Sequence, residues 1–298
     1  MVSIFLSIAA AAVFAVATVV QHRSASAVPT AGTGAIRLIL RLLREPRWRA
    51  GKAGDVVGFI LHAAALATGS FIVVQSIVSI GVVMTLLLEA RLDHRRLALA
   101  TWVGSVVLLL GVVLLVGVGD PGGGRESAPL SASLPVAIGT AMFMGLALVG
   151  TRHRTGATVG VLLATAGGVC FALDASFVRT AGHLIGHEGF SPHFVYAVAG
   201  FLVAALAGNI LVQRAFQLSS LHVSLPPLTA VQPVASLAFG YVLFLERLRH
   251  DGRIGGYIGI VLLAFGVLIT QMKETPTGTP DVAPGIAPDA VGTVRTDT

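Results

Sequence analysis

The residues of this chain that could do chemistry are few, and most sit inside apolar runs. Residues 74–80 read VQSIVSI and residues 231–237 read VQPVASL. Each sets a glutamine where an unpaired amide is costly. A glutamine side chain both donates and accepts hydrogen bonds, so Gln75 and Gln232 suit a polar, uncharged group of a small molecule. Ser79 and Ser236 follow at i+4 and share the same helical faces. Asp174 is the one acid well inside an apolar run, where carboxylates serve protons or cations. The competing reading pairs Asp174 with Arg179 or a hydroxyl. His183 and His187, with Glu188, have a spacing that ligates a metal on a helix. Two glycines in GHLIGHEGFSPH (182–193) leave that geometry unfixed, so solvated loop residues and no metal are expected.

The elements that position these groups follow from composition. Charged residues make up 11% and hydrophobic residues 55% of the 298, with mean hydropathy +0.86. A soluble chain of this length needs a far larger charged shell, about a quarter of its residues. The chain therefore reads as a membrane protein. Its net charge of +6 forms no basic face interleaved with aromatics, which excludes a nucleic-acid partner. Two lysines among twenty basic residues, with the Ala, Val and Gly excess, point to a high-GC bacterial genome and its plasma membrane. Cys170, the single cysteine, reads as a small packing residue.

Apolar runs long enough to span a bilayer fall near 2–20, 54–70, 71–89, 97–118, 131–150, 157–178, 193–213, 219–245 and 252–272. The first run is followed by Ser24-Ala25-Ser26-Ala27, which imitates a signal-peptide cleavage site. Its charges come after the run instead of before it, so a retained span is expected. Lys and Arg near the span ends fall fourteen to one side and five to the other, which orients the amino terminus outside and the carboxyl terminus inside. Segment 35–52, with Arg37, Arg41 and Arg44 at helical spacing, reads as an interfacial helix on the anionic inner leaflet, ended by Pro46. GGGR at 122–125 reads as a flexible outer loop, and the Pro- and Thr-rich tail 273–298 as disordered.

The two glutamine runs belong to a longer repeat. Aligned without gaps, 74–89 and 231–246 share Gln75/Gln232, Ser79/Ser236 and Glu89/Glu246, and Gly104 and Gly111 recur as Gly259 and Gly266. The copies are five spans apart, an odd number, so the second crosses the membrane in the opposite sense. This gives an all-α polytopic protein of about nine transmembrane helices in an inverted 4+1+4 repeat. Its parts are 1–118, the linking segment 119–156, the second repeat 157–272 and the tail. Such repeats hold substrate between their halves near the midplane. His62 and Gln213 form a weaker matched pair, and Asn209 joins them as a polar candidate on span 7. Pro226, Pro227 and Pro233 remove three amide donors from span 8, so a helix broken beside the cavity is expected there. Glu89 and Glu246 end their helices beside Arg91 and Arg247, as interfacial ion pairs. No GxxxxGK[ST], HExxH, GxSxG or cysteine cluster is present, so neither an enzyme nor a cofactor is expected.

These stretches resemble the drug/metabolite transporter superfamily, in particular EamA-like membrane proteins of actinobacteria. The resemblance is carried by AVATVVQHRSA (15–25), LLREPRWRAG (42–51), VVQSIVSIGVVMTLLLEARL (73–92) and SLPPLTAVQPVASLAFGYVLFLERL (224–248). It covers about 2–272 and implies a ten-helix transporter type with one helix lost from the first half. The 4+1+4 layout is also similar to NIPA-type magnesium transporters, where the helix-ending Glu-Arg recurs. Where the family resemblance leads one to expect a lysine at the end of span 6, this chain has LDASFVRTAG (173–182). The expected function is export of a small metabolite or amphipathic drug. A magnesium or divalent-cation pathway and a non-transporting scaffold are the alternatives. Expected partners are the small-molecule substrate and anionic lipids, and a homodimer is left open.

Overall fold

A computed structural model describes residues 1–26, 44–94, 96–152, 154, 157–218 and 221–270. For residues 22, 25, 26, 213, 216, 217 and 221–226 it describes the backbone alone. The first four helices are α1 (Val2–Ser26), α2 (Pro46–Thr68), α3 (Phe71–Val78) and α4 (Ile80–Leu92). Next come α5 (Leu99–Val113), prolonged by a π turn over Leu114–Val118, and α6 (Leu130–Gly150). The second half holds α7 (Ala157–His187), α8 (Pro192–Leu218), α9 (Leu221–Leu243) and α10 (Arg253–Thr270). Helices α3 and α4 cross as one span, Phe71–Leu92, with a step at Ser79. Among the described residues eight spans are long and apolar enough to cross a membrane, and α9 adds the shorter apolar run Pro227–Leu243. The chain is an all-α polytopic protein. Large apolar side chains such as Leu99, Leu206 and Ile254 face outward, as a lipid solvent permits.

Helix contacts follow the small residues. In α1–α2, Gly58 receives the Phe14 ring, and in α7–α8, Gly200 and Gly208 receive Phe177 and Phe171. The most informative contact is α5 against α10. A Cβ on Gly104 would lie 2.5 Å from Thr270 N, and one on Gly259 would lie 2.6 Å from Leu115 N. Likewise a Cβ on Gly111 would meet Leu263 N at 2.4 Å and one on Gly266 would meet Leu108 N at 2.3 Å. Residue numbers rise on one helix as they fall on the other, so the pair is antiparallel. Exchanging each residue for its sequence repeat turns the Gly104–Thr270 contact into Gly259–Leu115. The duplicated glycines thus meet across a local pseudo-two-fold axis.

Several sequence expectations are corrected. Span 8 is not broken: α9 runs unbroken through Pro226, Pro227 and Pro233. Pro226 and Pro227 lie in the second turn and Pro233 further along, so each removes one bond to the carbonyl four residues before it, and the helix continues through these single losses. Pro46 begins α2, since proline fits the first helical turn, and Arg44 before it is helical while Glu45 is not, so one helix ends just ahead of Pro46. The rest of that segment, 35–43, and the tail lie outside the described residues. The GGGR loop is a fitted strap. Gly122 pairs with Arg247 in an antiparallel bridge, and Arg125 N donates to Phe244 O at 2.6 Å. Gly124, at φ +81, would place a Cβ 2.1 Å from the same oxygen, so only glycine serves there. His183 and His187 lie on the last turns of α7, stacked 4.2 Å apart, with His183 3.2 Å from Glu126.

Candidate functional site

The site is built where α3 begins. Gly69 ends α2 in extended backbone and Ser70 caps α3, its hydroxyl accepting from Val73 N at 3.3 Å. The remaining first-turn amides of a helix need acceptors. They find the carboxylate of Glu246, which arrives from the far end of the sequence. Phe71 N donates to Oε1 at 2.6 Å, Ile72 N to Oε2 at 2.9 Å, and the Ser70 hydroxyl to Oε2 at 2.8 Å. Arg179 of α7 completes the set, its Nη1 ion-paired with Oε1. The guanidinium lies 4.4 Å from the centre of the Phe244 ring, and its Nη2 reaches Arg125 O at 3.4 Å. Both side chains are buried. A buried carboxylate is tolerable only with such a complete donor set, here a cation and a positive helix end together. The knot ties α3 of the first repeat to α7 and the α9–α10 turn of the second.

This corrects the expected Glu246 pairing. Leu245 takes φ +56, which turns Glu246 inward while Arg247 turns out over the Tyr241 ring, 4.4 Å away. Arg179 is thereby engaged with Glu246, so it is not the partner of Asp174. Asp174 is half-buried on α7, one turn past Cys170, whose Sγ lies 3.2 Å from Met144 Sδ of α6. The two residues share a face, and Cys170 also lies against Gly208 of α8.

One turn beneath the knot lie the polar residues of the two repeats. Gly240 of α9 packs on Phe71 and Ile72, and the helices run antiparallel. One turn further along each helix, Ser236 therefore stands level with Gln75 and Ser76. A second turn sets Gln232 level with Ser79. These are two rungs about 6 Å apart at a rise of about 1.5 Å per residue, each pairing a glutamine of one copy with a serine of the other. His62 of α2 faces Gln75 within side-chain hydrogen-bonding reach, with Phe14 edge-on at 6.2 Å. Gln75 and Ser236 are buried. Among the described residues, His62 Nε2, Gln75 Nε2 and Ser236 Oγ have no hydrogen-bond partner. Buried polar atoms are rarely left so, and three on three helices mark a place for a polar ligand or water. On the second rung the Ser79 hydroxyl donates to Gln75 O at 2.9 Å, and Gln232 is half-buried.

The structure thus sets His62 beside Gln75, and the packing of α9 on α3 at Gly240 puts Ser236 and Gln232 at the levels of Gln75 and Ser79. It places Asn209 elsewhere, exposed on α8 with its amide donating to Ala205 O at 2.8 Å. Pro227 is half-buried on α9, two turns beyond Ser236. The side chains of Gln213 and Pro226 lie outside the described residues. Among the described residues no group of three His, Cys, Asp or Glu could hold a metal ion. Sequence reasoning missed the Arg179–Glu246 contact. The signal within reach was register: Glu246 is the helix-ending acid that the repeat duplicates.

No family model and no solved structure matches this chain. An uncharacterized protein of Corynebacterium glutamicum is 27% identical over 279 residues, covering 93% of this chain and 96% of that one. The two align over nearly the whole of both chains.

Proposed function

We propose that this chain is a secondary transporter of the drug/metabolite type, exporting a small metabolite or amphipathic compound across a bacterial plasma membrane by alternating access. The observation that carries the reading is the trio of partnerless buried atoms on His62, Gln75 and Ser236, set between two inverted repeats. Inverted repeats bind substrate at their shared interface and alternate by rocking one half against the other. The trio carries no fixed charge, so the bound part of the substrate is a neutral hydroxyl, amide or carbonyl group. The apolar surround, with Phe14 and Phe71 on either side, suits an apolar body. The charge bias of the loops supports an outside amino terminus and an inside tail. Asp174, the acid inside α7, is the residue to carry a coupling proton. A magnesium pathway needs converging carboxylates, and the described acids offer no such group.

Purified protein in liposomes, tested against a mixed metabolite panel with and without a proton gradient, decides the matter. Gradient-dependent flux of a neutral-headed compound supports the reading, and no flux across the panel rejects it. In the same assay Asp174→Asn abolishes gradient-driven transport while leaving substrate exchange, and full activity removes Asp174 from the role.

A further inference from the structure

The Arg179–Glu246 knot has a counterpart at the other face. Glu89 is the repeat of Glu246. One residue out of the Glu89/Glu246 register, Arg23-Ser24-Ala25 at the end of α1 matches Arg179-Thr180-Ala181 on α7, with Ala10/Ala166 and Val13/Val169. The local structures agree. The Ser24 hydroxyl donates to Val20 O at 2.7 Å, and the Thr180 hydroxyl donates to Ser176 O at 3.0 Å. Both hydroxyls belong to buried residues. The symmetry mate of Arg179–Glu246 is therefore Arg23–Glu89.

The two arginines are in different situations. Side chains of Arg179 and Glu246 are 7% and 0% exposed, and their pair ties the halves together. Arg23 instead pairs with Asp93, one turn beyond Glu89, and both of those side chains are 43% exposed. An exposed pair of this kind holds little. A step of one helical turn, about 6 Å along the axis, would move Arg23 from Asp93 to Glu89. We propose that Arg179–Glu246 and Arg23–Glu89 are reciprocal locks on opposite membrane faces, closing in alternation, with the Arg179–Glu246 lock shut in this structure. Inverted repeats make this economical, because each conformation exchanges the roles of the two halves.

The proposal rests on the two-state reading of the fold, but its test needs no substrate. In the full-length chain with Cys170→Ala, Ser76→Cys reports access behind the Glu246 lock, since Ser76 is buried one turn past Ile72. The cationic thiol reagent MTSET is applied to each side of the membrane in turn. Glu246→Gln should raise labelling from the Glu246 face about tenfold. Arg23→Gln weakens the opposite lock, so it should lower labelling from the Glu246 face and raise it from the other. The double variant should return towards the starting rate. If Arg23→Gln leaves the rates unchanged, or shifts them as Glu246→Gln does, Glu246 is only a helix cap and the locks are not coupled. Absence of labelling in every variant also overturns the proposal, because neither face then opens. Should Glu246→Gln fail to fold, Arg23→Gln, on the surface, is decisive alone. Reciprocal labelling without flux in liposomes would keep the locks and reject transport. Flux with non-reciprocal labelling would do the reverse.

Discussion

The α5–α10 contact offers the sharpest test of the pseudo-two-fold axis, through Gly111→Ala and Gly266→Ala. A Cβ at Gly111 would lie 2.4 Å from Leu263 N and 2.8 Å from Gly259 O. One at Gly266 would lie 2.3 Å from Leu108 N and 2.5 Å from its Cα. All four obstacles are backbone, which cannot rotate aside as a side chain can. Reaching ordinary contact requires the helices to separate by about 1 Å, which loosens every close approach along the row. Overpacking of this kind costs about 1–3 kcal/mol, against a helix-propensity gain of up to about 1 kcal/mol for Gly→Ala. The net expectation is a loss of about 1–2 kcal/mol for either variant, equal within error because the axis relates the two sites. Gly139 and Gly145 of α6 have open space around the Cβ position, so alanine there should be neutral or stabilising. The double variant Gly111→Ala/Gly266→Ala should cost less than the sum, since the first separation makes room for the second. Unfolding in mixed micelles titrated with denaturing detergent gives the free energies. Alanine tolerated at both interface glycines would refute the close contact. A large cost at one and none at the other would refute the symmetry.

Three further expectations share that assay. Gly124→Ala should destabilise by about 2 kcal/mol or more, joining left-handed strain to a collision with Phe244 O, whereas Gly123→Ala at φ +68 meets open space and should show the strain alone; equal costs would mean the strap is loose. Arg179→Met leaves the Glu246 carboxylate buried without its cation and should cost about 3–5 kcal/mol, most of it recovered in Arg179→Met/Glu246→Leu; a single variant near zero would refute the buried pair. Asn209→Leu should stay within about 0.5 kcal/mol and leave flux unchanged, because the amide bonds only its own helix; loss of flux would return Asn209 to the site.

How far the sequence could be read depended on the range of the interaction. Spans were legible because a bilayer demands long apolar runs, and the repeat was legible because Gln, Ser and Glu are rare inside them. The glycine matches Gly104/Gly259 and Gly111/Gly266 even located an interface, though not that the copies would pack on each other. The Glu246 partner was not legible. It depends on one residue, Leu245 at φ +56, reversing the chain so that the acid turns inward and its neighbour Arg247 outward. Periodicity carries no trace of such a reversal. Pro226 and Pro227 misled for a similar reason. A proline pair signals lost hydrogen bonds, but single lost bonds need not end a helix whose remaining amides keep theirs.

The recurrence of the glutamines can now be explained by position as well as by pattern. Gln75 and Gln232 do not face each other. Each stands level with the serine of the opposite copy, Gln75 with Ser236 and Gln232 with Ser79. The axis that carries Gly111 onto Gly266 also carries one rung onto the other. An exact two-fold would give both rungs the same hydrogen bonding, yet they differ. On the rung nearer the shut lock, Gln75 Nε2 and Ser236 Oγ are buried without partners. On the other, Ser79 bonds a backbone carbonyl and Gln232 is half-buried. The asymmetry has the same sense as that between Arg179–Glu246, buried, and Arg23–Asp93, exposed. Two copies of one sequence thus stand in two environments, the difference that the proposed alternation of the locks would exchange. If the two locks proposed above alternate, the exchanged state should leave Gln232 Nε2 and Ser79 Oγ as the partnerless pair.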